Sequence, residues 1–327
     1  MHPTLRVQRF LFGFDAPIER ACPPFAGNAW RGAFGHALRE AACLTGAPRC
    51  DGCPRRDDCA YAYVFETPPP RDAPAMRLYT SAPHPFVLRE LPDASRGQAW
   101  LLLTLIGRAS ALMPLLAQSL RHAARAEGGI LGVRLDLRCV HQEGVLGLGP
   151  WRRIDGPHGV LQPLVPAPPQ VPPPPSQALR LRWLTPLRAR REGRVLDAGT
   201  LDFAALAGTL VRRISMLQTF HAGVPLQAPF AELKALARGV SMRNHLVPVP
   251  QQRFSRRQGR SMPMDGVMGH VELDAAEVRP FWPFLWLGQF VHAGSAATMG
   301  LGCYAIEAAD TPPGAGDAGL GFQLPCP

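Results

Sequence analysis

Apolar and polar positions along the chain fall into two successive sets of elements. From Thr4 to Phe14 the apolar alternation changes phase between Val7 and Phe10, which predicts a strand that carries a bulge or is buried on both faces. Trp30, Ala33, Phe34, Ala37, Leu38 and Ala41 then mark one face of a helix, with Asn28 placed as its N-cap. Beyond a cysteine-rich stretch, strands are predicted around Pro85–Leu91 and Ala99–Ile106. A helix over Arg108–Ala126 stops at Gly128-Gly129, and Val133–Cys139 alternates with period two as a further strand. The second half repeats this order. Leu179–Leu184 reads as a strand and Phe203–Phe220 as a helix. Arg253–Leu273 reads as two strands around the turn-prone Met264-Asp265-Gly266. Ala276–Val291 reads as a helix despite Pro280 and Pro283, and Leu301–Ile306 as a last strand. Two copies of β-α-β-β-α-β are two tandem ferredoxin-like (RRM-like) domains, an α+β fold.

The division between the copies lies at Pro163–Ser176, where eight prolines in fourteen residues exclude a helix or a central strand and leave an extended spacer. This gives an N-terminal domain over 1–162, a Pro-rich linker over 163–176 and a C-terminal domain over 177–310. The Gly- and Pro-rich 311–327 read as a flexible tail. Within the first domain, about 43–84 forms a cysteine-rich insertion after the first helix. The longest apolar run, Ala99–Ile106, is far short of the ~20 residues that span a bilayer. The first residues lack the layout of a signal peptide, so a soluble, cytoplasmic protein is expected.

Charge sharpens this picture. Among 327 residues, 35 basic side chains face 25 acidic ones, and Lys234 is the only lysine. An arginine-borne surplus of +10 suits a polyanion, because the planar guanidinium matches phosphate.

Four stretches are more specific: Trp30-Arg-Gly-Ala-Phe-Gly-His36, Leu184-Thr-Pro-Leu187, Phe254-Ser-Arg-Arg-Gln258, and His292-Ala-Gly-Ser-Ala-Ala-Thr-Met-Gly-Leu-Gly-Cys-Tyr304. Together, and over most of 1–308, they resemble the precursor-RNA processing endoribonuclease of the RAMP superfamily of CRISPR-associated proteins. The resemblance implies an enzyme that cuts repeat RNA beside a short stem-loop without metal. The substrate's 2′-OH attacks the adjacent phosphate and leaves a 2′,3′-cyclic phosphate and a 5′-OH. It also implies retention of the guide RNA beside other effector-complex subunits. The glycine loop departs from the family, with Ser295 where a basic residue often follows the first glycine.

Such chemistry needs a base, an acid and positive charge near the phosphate. His36 is the first choice for acid or base: at ~100° per residue it falls off the apolar face, and the resembled enzymes often place a histidine on or after this helix. His292, at the mouth of the glycine loop, is the alternative, and Arg31 is a candidate phosphate ligand in the same site. Arg253, Arg256, Arg257 and Arg260 sit in one expected hairpin suited to an RNA stem. Gly294, Ser295, Thr298, Gly300 and Gly302 are expected to offer backbone N–H and hydroxyl groups to phosphate. Cys43, Cys50, Cys53 and Cys59 place four thiols in 17 residues, which reads as a structural metal site, zinc ahead of an iron–sulfur cluster. No cofactor is expected for catalysis. Two other readings stay open at this point: a non-cleaving RAMP subunit that holds guide RNA, and an unrelated zinc-containing interaction protein with an incidental basic surface.

Overall fold

A computed structural model describes residues 3–15, 26–68, 82–91, 98–156, 159–255 and 260–309, with only the backbone for 253–255 and 260–262. Two compact units divide the chain, one of residues 4–169 with 216–225, the other of 1–3, 170–215 and 226–327. The division at 169/170 falls in the Pro-rich segment, which contains neither helix nor strand. Within the first unit Gln142 clamps one end of that segment through its own amide, with Leu164 N donating to Oε1 and Nε2 donating to Leu164 O. Within the second, Trp282 Nε1 donates to Pro172 O.

The first unit is built on β1 (Val7–Asp15), α1 (Gly27–Ala42), β2 (Phe86–Leu91), β3 (Gln98–Ile106), α2 (Met113–Arg125), β4 (Asp136–Val145) and β5 (Gly149–Arg153). The antiparallel sheet runs β2-β3-β1-β4-β5, so the ferredoxin-like order holds with a fifth strand added at one edge. β1 is buried on both faces, and its register against β4 shifts between Gly13 and Phe14, in accord with the phase change in its sequence. On one face Phe10, Phe12 and Phe14 meet Trp30, Phe34 and Leu38 of α1 and Leu116 and Leu120 of α2. Full burial of such a side chain stabilises by ~1.5–3 kcal/mol. On the other face Arg9 forms a two-bond ion pair with Glu143, both side chains 1% exposed.

Two expectations need correction here. Ala26, not Asn28, caps α1, without a side-chain hydrogen bond, so Asn28 lies inside the helix. The second helix begins as a 3₁₀ turn over Gly107–Leu112, and Pro114 at its first α-helical turn donates no bond that the helix needs.

The second unit holds β6 (Leu179–Leu187), β7 (Arg190–Arg191), β8 (Arg194–Val195), the larger part of α3 (Phe203–Ala222, whose residues from Met216 on belong to the first unit), α4 (Phe230–Ala237), β9 (Met242–Val249), β10 (Gln252–Ser255), β11 (Arg260–Pro263), β12 (Gly266–Leu273), α5 (Ala275–Val278), α6 (Trp282–Val291) and β13 (Tyr304–Ala308). Its main sheet runs β13-β6-β12-β9, again the ferredoxin-like order. β6 and β12 are therefore its inner pair and β9 is an edge, and β10 and β11, which lie between β9 and β12 in the chain, form a separate two-stranded ribbon. Met264 and Asp265 are the neck of that ribbon rather than a hairpin turn: Met264 N donates to Gln251 O and Gln251 N to Asp265 Oδ1. The expected helix over 276–291 is broken into α5, a 3₁₀ turn at Arg279–Phe281, and α6, with Pro280 and Pro283 each opening a new segment.

Candidate functional site

The core-facing stripe of α1 leaves His36 and Glu40 on its outer side, one turn apart. The His36 side chain is 79% exposed, and its Nε2 lies 3.3 Å from Glu40 Oε1. The other carboxylate oxygen lies 3.6 Å from Nε2 of His122 on α2, so one acidic group stands between two imidazoles. Glu40 was legible as the i+4 neighbour of His36. His122 is 86 positions away in sequence, and only the packing of α1 against α2 brings it here.

Arg31 does not join this group. It sits ~140° around α1 from His36, its guanidinium 5.3 Å from the Phe65 ring centroid and its Nη2 3.4 Å from His84 Nε2. Thr67 Oγ1 donates to Tyr63 O and lies 2.8 Å from His84 Nδ1. His84 thus bridges Thr67 and the Arg31 guanidinium. The aromatic segment Ala62–Glu66, one turn of π-helix, follows directly on Tyr61, whose ring carries the Arg39 guanidinium at 5.7 Å. Gly35 admits this segment, since a Cβ there would lie 2.8 Å from the Phe65 ring. His221 is likewise internal: Tyr63 OH is 3.1 Å from its Nδ1, and Pro83 O is 2.7 Å from its Nε2.

The glycine loop is a stitched turn, which revises its expected role. Ser295 donates both its N–H and its hydroxyl to Arg188 O, Gly300 N donates to Ala297 O, and Gly302 N to Pro186 O. Those groups are spent within the protein, and Thr298 is buried. Gly294 (φ +80°) and Gly302 (φ +74°) are required by close backbone approach: an added Cβ would lie 2.6 Å from Arg188 O and 1.8 Å from Ala293 O respectively. His292 is only 2% exposed, and its ring Nδ1 lies 3.1 Å from Leu301 O. Its backbone takes φ +61°, an uncommon conformation for a non-glycine residue. His292 therefore closes the loop and is withdrawn as an alternative catalytic residue.

Of the four ribbon arginines, Arg253 faces Met262 and Arg260 faces Ser255 in the backbone register, while Arg256 and Arg257 lie outside the described residues.

Comparison with known proteins gives a family-model match in each half of the chain. Residues 181–304 match the family model of the CRISPR-associated endoribonuclease Cas6, and residues 5–154 match the AF_1859_N N-terminal domain. Residues 181–304 thus carry a domain of the Cas6 endoribonuclease family. Among solved structures, a Cas6 (TTHB231) product complex aligns at TM-score 0.55 and 17% identity, over 92% of this chain and 99% of that one. Thermus thermophilus Cas6 (TTHB231) aligns at TM-score 0.51 and 16% identity, over 93% and 99%. A Cas6 (TTHA0078) product complex aligns at TM-score 0.51 and 20% identity, over 93% and 99%. These likenesses establish a shared fold along nearly the whole chain. A search of curated proteins found no match.

Two further clusters of chemically active side chains stand out, one in each unit. Cys43, Cys50, Cys53 and Cys59 line one pocket of about 200 Å³. Backbone N–H groups, first that of Gly46, hold the Cys43 thiol below its ordinary range, whereas burial pushes Cys50 up. Cys139 and Cys303 are buried single thiols, and Cys22 and Cys326 lie outside the described residues. On the sheet of the Cas6 unit, the rings of His245 and His270 stack with centroids 4.6 Å apart. Glu272 beside them is held by Arg180 at 3.2 Å. Burial, then the His245 charge, lowers the His270 pKa. No helix among the described residues is long and apolar enough to cross a membrane.

Proposed function

We propose that the protein is a metal-independent endoribonuclease that binds the repeat stem-loop of CRISPR precursor RNA and cleaves beside it. The observation that carries the reading is the exposed His36 with Glu40 behind it. With Nε2–H turned toward the Glu40 carboxylate, Nδ1 presents its lone pair outward. It takes the proton of the 2′-OH as that oxygen attacks phosphorus. The P–O5′ bond breaks, the 5′-oxygen takes up a proton, and a 2′,3′-cyclic phosphate and a 5′-OH remain. His122, on the other oxygen of Glu40, is within reach to act as the proton donor. The net charge of +10 and the arginine-bearing ribbon supply the attraction for phosphate, and they support retention of the processed guide within an effector complex beside other CRISPR subunits.

The test is incubation with 5′-labelled repeat RNA in EDTA, with an unrelated hairpin as control. A single cut in the repeat with a cyclic-phosphate end is the expected result. Tight binding without a cut would replace the enzyme with a guide-holding subunit. Equal binding of both RNAs would overturn the assignment of substrate.

A further inference from the structure

The stretch between Leu38 and Ala62 is long, folded and coreless. No hydrophobic side chain between these two is buried, and Leu44 is 82% exposed. Regular structure is absent from Cys43 to Cys59, yet the chain turns back on itself repeatedly: Cys53 N donates to Cys50 O, Arg56 N to Cys53 O, and Asp58 N to Arg55 O. A loop of this length inside a compact domain needs something other than apolar burial to hold it.

Its polar chemistry converges on one place. All four cysteines line the same pocket, arriving from three directions: Cys43 is the C-cap of α1, Cys50 and Cys53 flank a turn, and Cys59 precedes the aromatic helix. The Thr45 hydroxyl lies between two of the sulfurs, 3.9 Å from Cys43 Sγ and 3.5 Å from Cys53 Sγ. Arg49, Arg55 and Arg56 line the same pocket, while Asp58 is its one acidic wall.

We propose that these four cysteines bind one Zn²⁺ as a tetrathiolate, and that the metal clamps the C-terminus of α1 to the start of the aromatic segment Tyr61–Phe65. Binding replaces four S–H bonds by four Zn–S bonds and releases four protons, leaving a complex of net charge −2. The surrounding arginines offset that charge. No three of the four sulfurs lie within 4.8 Å of one another among the described residues, whereas Zn–S bonds of ~2.3 Å place tetrahedral sulfurs about 3.8 Å apart. Closing the site thus draws the exposed turns inward, which a segment without core packing permits. Four thiolates fill the coordination sphere and leave no open position for a reacting group. The benefit is positional: the clamped segment supplies the Tyr61 and Phe65 rings that carry Arg39 and Arg31.

The experiment is elemental analysis of the full chain purified without chelator, followed by stripping and titration with Zn²⁺ and Co²⁺. One zinc per chain is expected, with one equivalent of Co²⁺ restoring the absorption of a tetrahedral cobalt–thiolate centre. The Cys50→Ser/Cys53→Ser variant should lose the metal, and Cys139→Ser should retain it. Should the double variant fail to fold, stoichiometric rebinding by stripped wild-type protein decides the matter. Iron with acid-labile sulfide, disulfides among the four cysteines, or four thiols freely titratable in metal-replete protein would each overturn the proposal. None of these readouts depends on RNA cleavage, so failure of the zinc site and failure of the endoribonuclease assignment are separable.

Discussion

The glycine loop of the Cas6 unit offers a substitution whose effect follows from two separable terms. Gly302→Ala places a Cβ at a residue with φ +74°, 1.8 Å from Ala293 O. The left-handed backbone alone costs a non-glycine residue ~1–2 kcal/mol. The contact is with backbone, so relief requires the two strands of the loop to part. Parting them breaks the bonds from Ala293 N to Gly302 O and from Gly302 N to Pro186 O, each 2.9 Å. Each of the two bonds left unmade adds ~1–3 kcal/mol, for a total with the backbone term of roughly 3–8 kcal/mol. That is a large part of the ~5–15 kcal/mol that stabilises an ordinary domain. Gly193→Ala, between β7 and β8, supplies the control. Its φ is +81°, but an added Cβ meets nothing within 4 Å, so only the backbone term of ~1–2 kcal/mol applies. Urea unfolding of the three proteins, followed by tryptophan fluorescence, measures the difference. A Gly302→Ala protein no less stable than Gly193→Ala would refute the argument that this glycine serves close backbone approach.

Other expectations are open to direct measurement. Glu143→Gln leaves the Arg9 guanidinium buried without its counter-charge and should destabilise by ~3–5 kcal/mol, while Arg9→Met/Glu143→Leu should recover most of the loss in urea melts. No recovery would mean that the pair is not the source of the effect. The His270 pKa is lowered in the folded state, so its contribution to stability is present above the ordinary histidine range. It is lost as pH falls from ~6.5 toward the lowered value. His270→Gln should therefore flatten the pH dependence of stability in that window, and an unchanged slope would contradict the assignment. Replacing Arg256 and Arg257 with Ala should weaken repeat-RNA binding and reduce its salt dependence, with the slope of log K against log salt falling by up to ~2. An unaltered slope would remove the ribbon from the RNA site.

The sequence pattern gave both ferredoxin-like orders but hid particular strands. β9 has only Leu246 buried and contains Pro248; it is an edge strand, and edge strands lack the alternation that burial of one face imposes. With β9 overlooked, the arginine ribbon and β12 were read as one hairpin. β5, beginning Gly149-Pro150, was overlooked because a proline there reads as a turn. The site divides similarly. The exposure of His36 followed from helix geometry, since a helical position off the apolar stripe faces outward. The roles of His292 and Ser295 did not, because their partners, Leu301 O and Arg188 O, are chosen by loop closure rather than by local sequence. His122 depended on the packing of two helices, which spacing along the chain does not encode.

The central claim is that His36 moves the proton of the attacking 2′-OH. Single-turnover cleavage of repeat RNA by wild type and His36→Ala, with RNA affinity measured in parallel, tests it most directly. The account predicts a rate at least ~100-fold lower with affinity nearly unchanged. A His36→Ala protein that cleaves at the wild-type rate would contradict it.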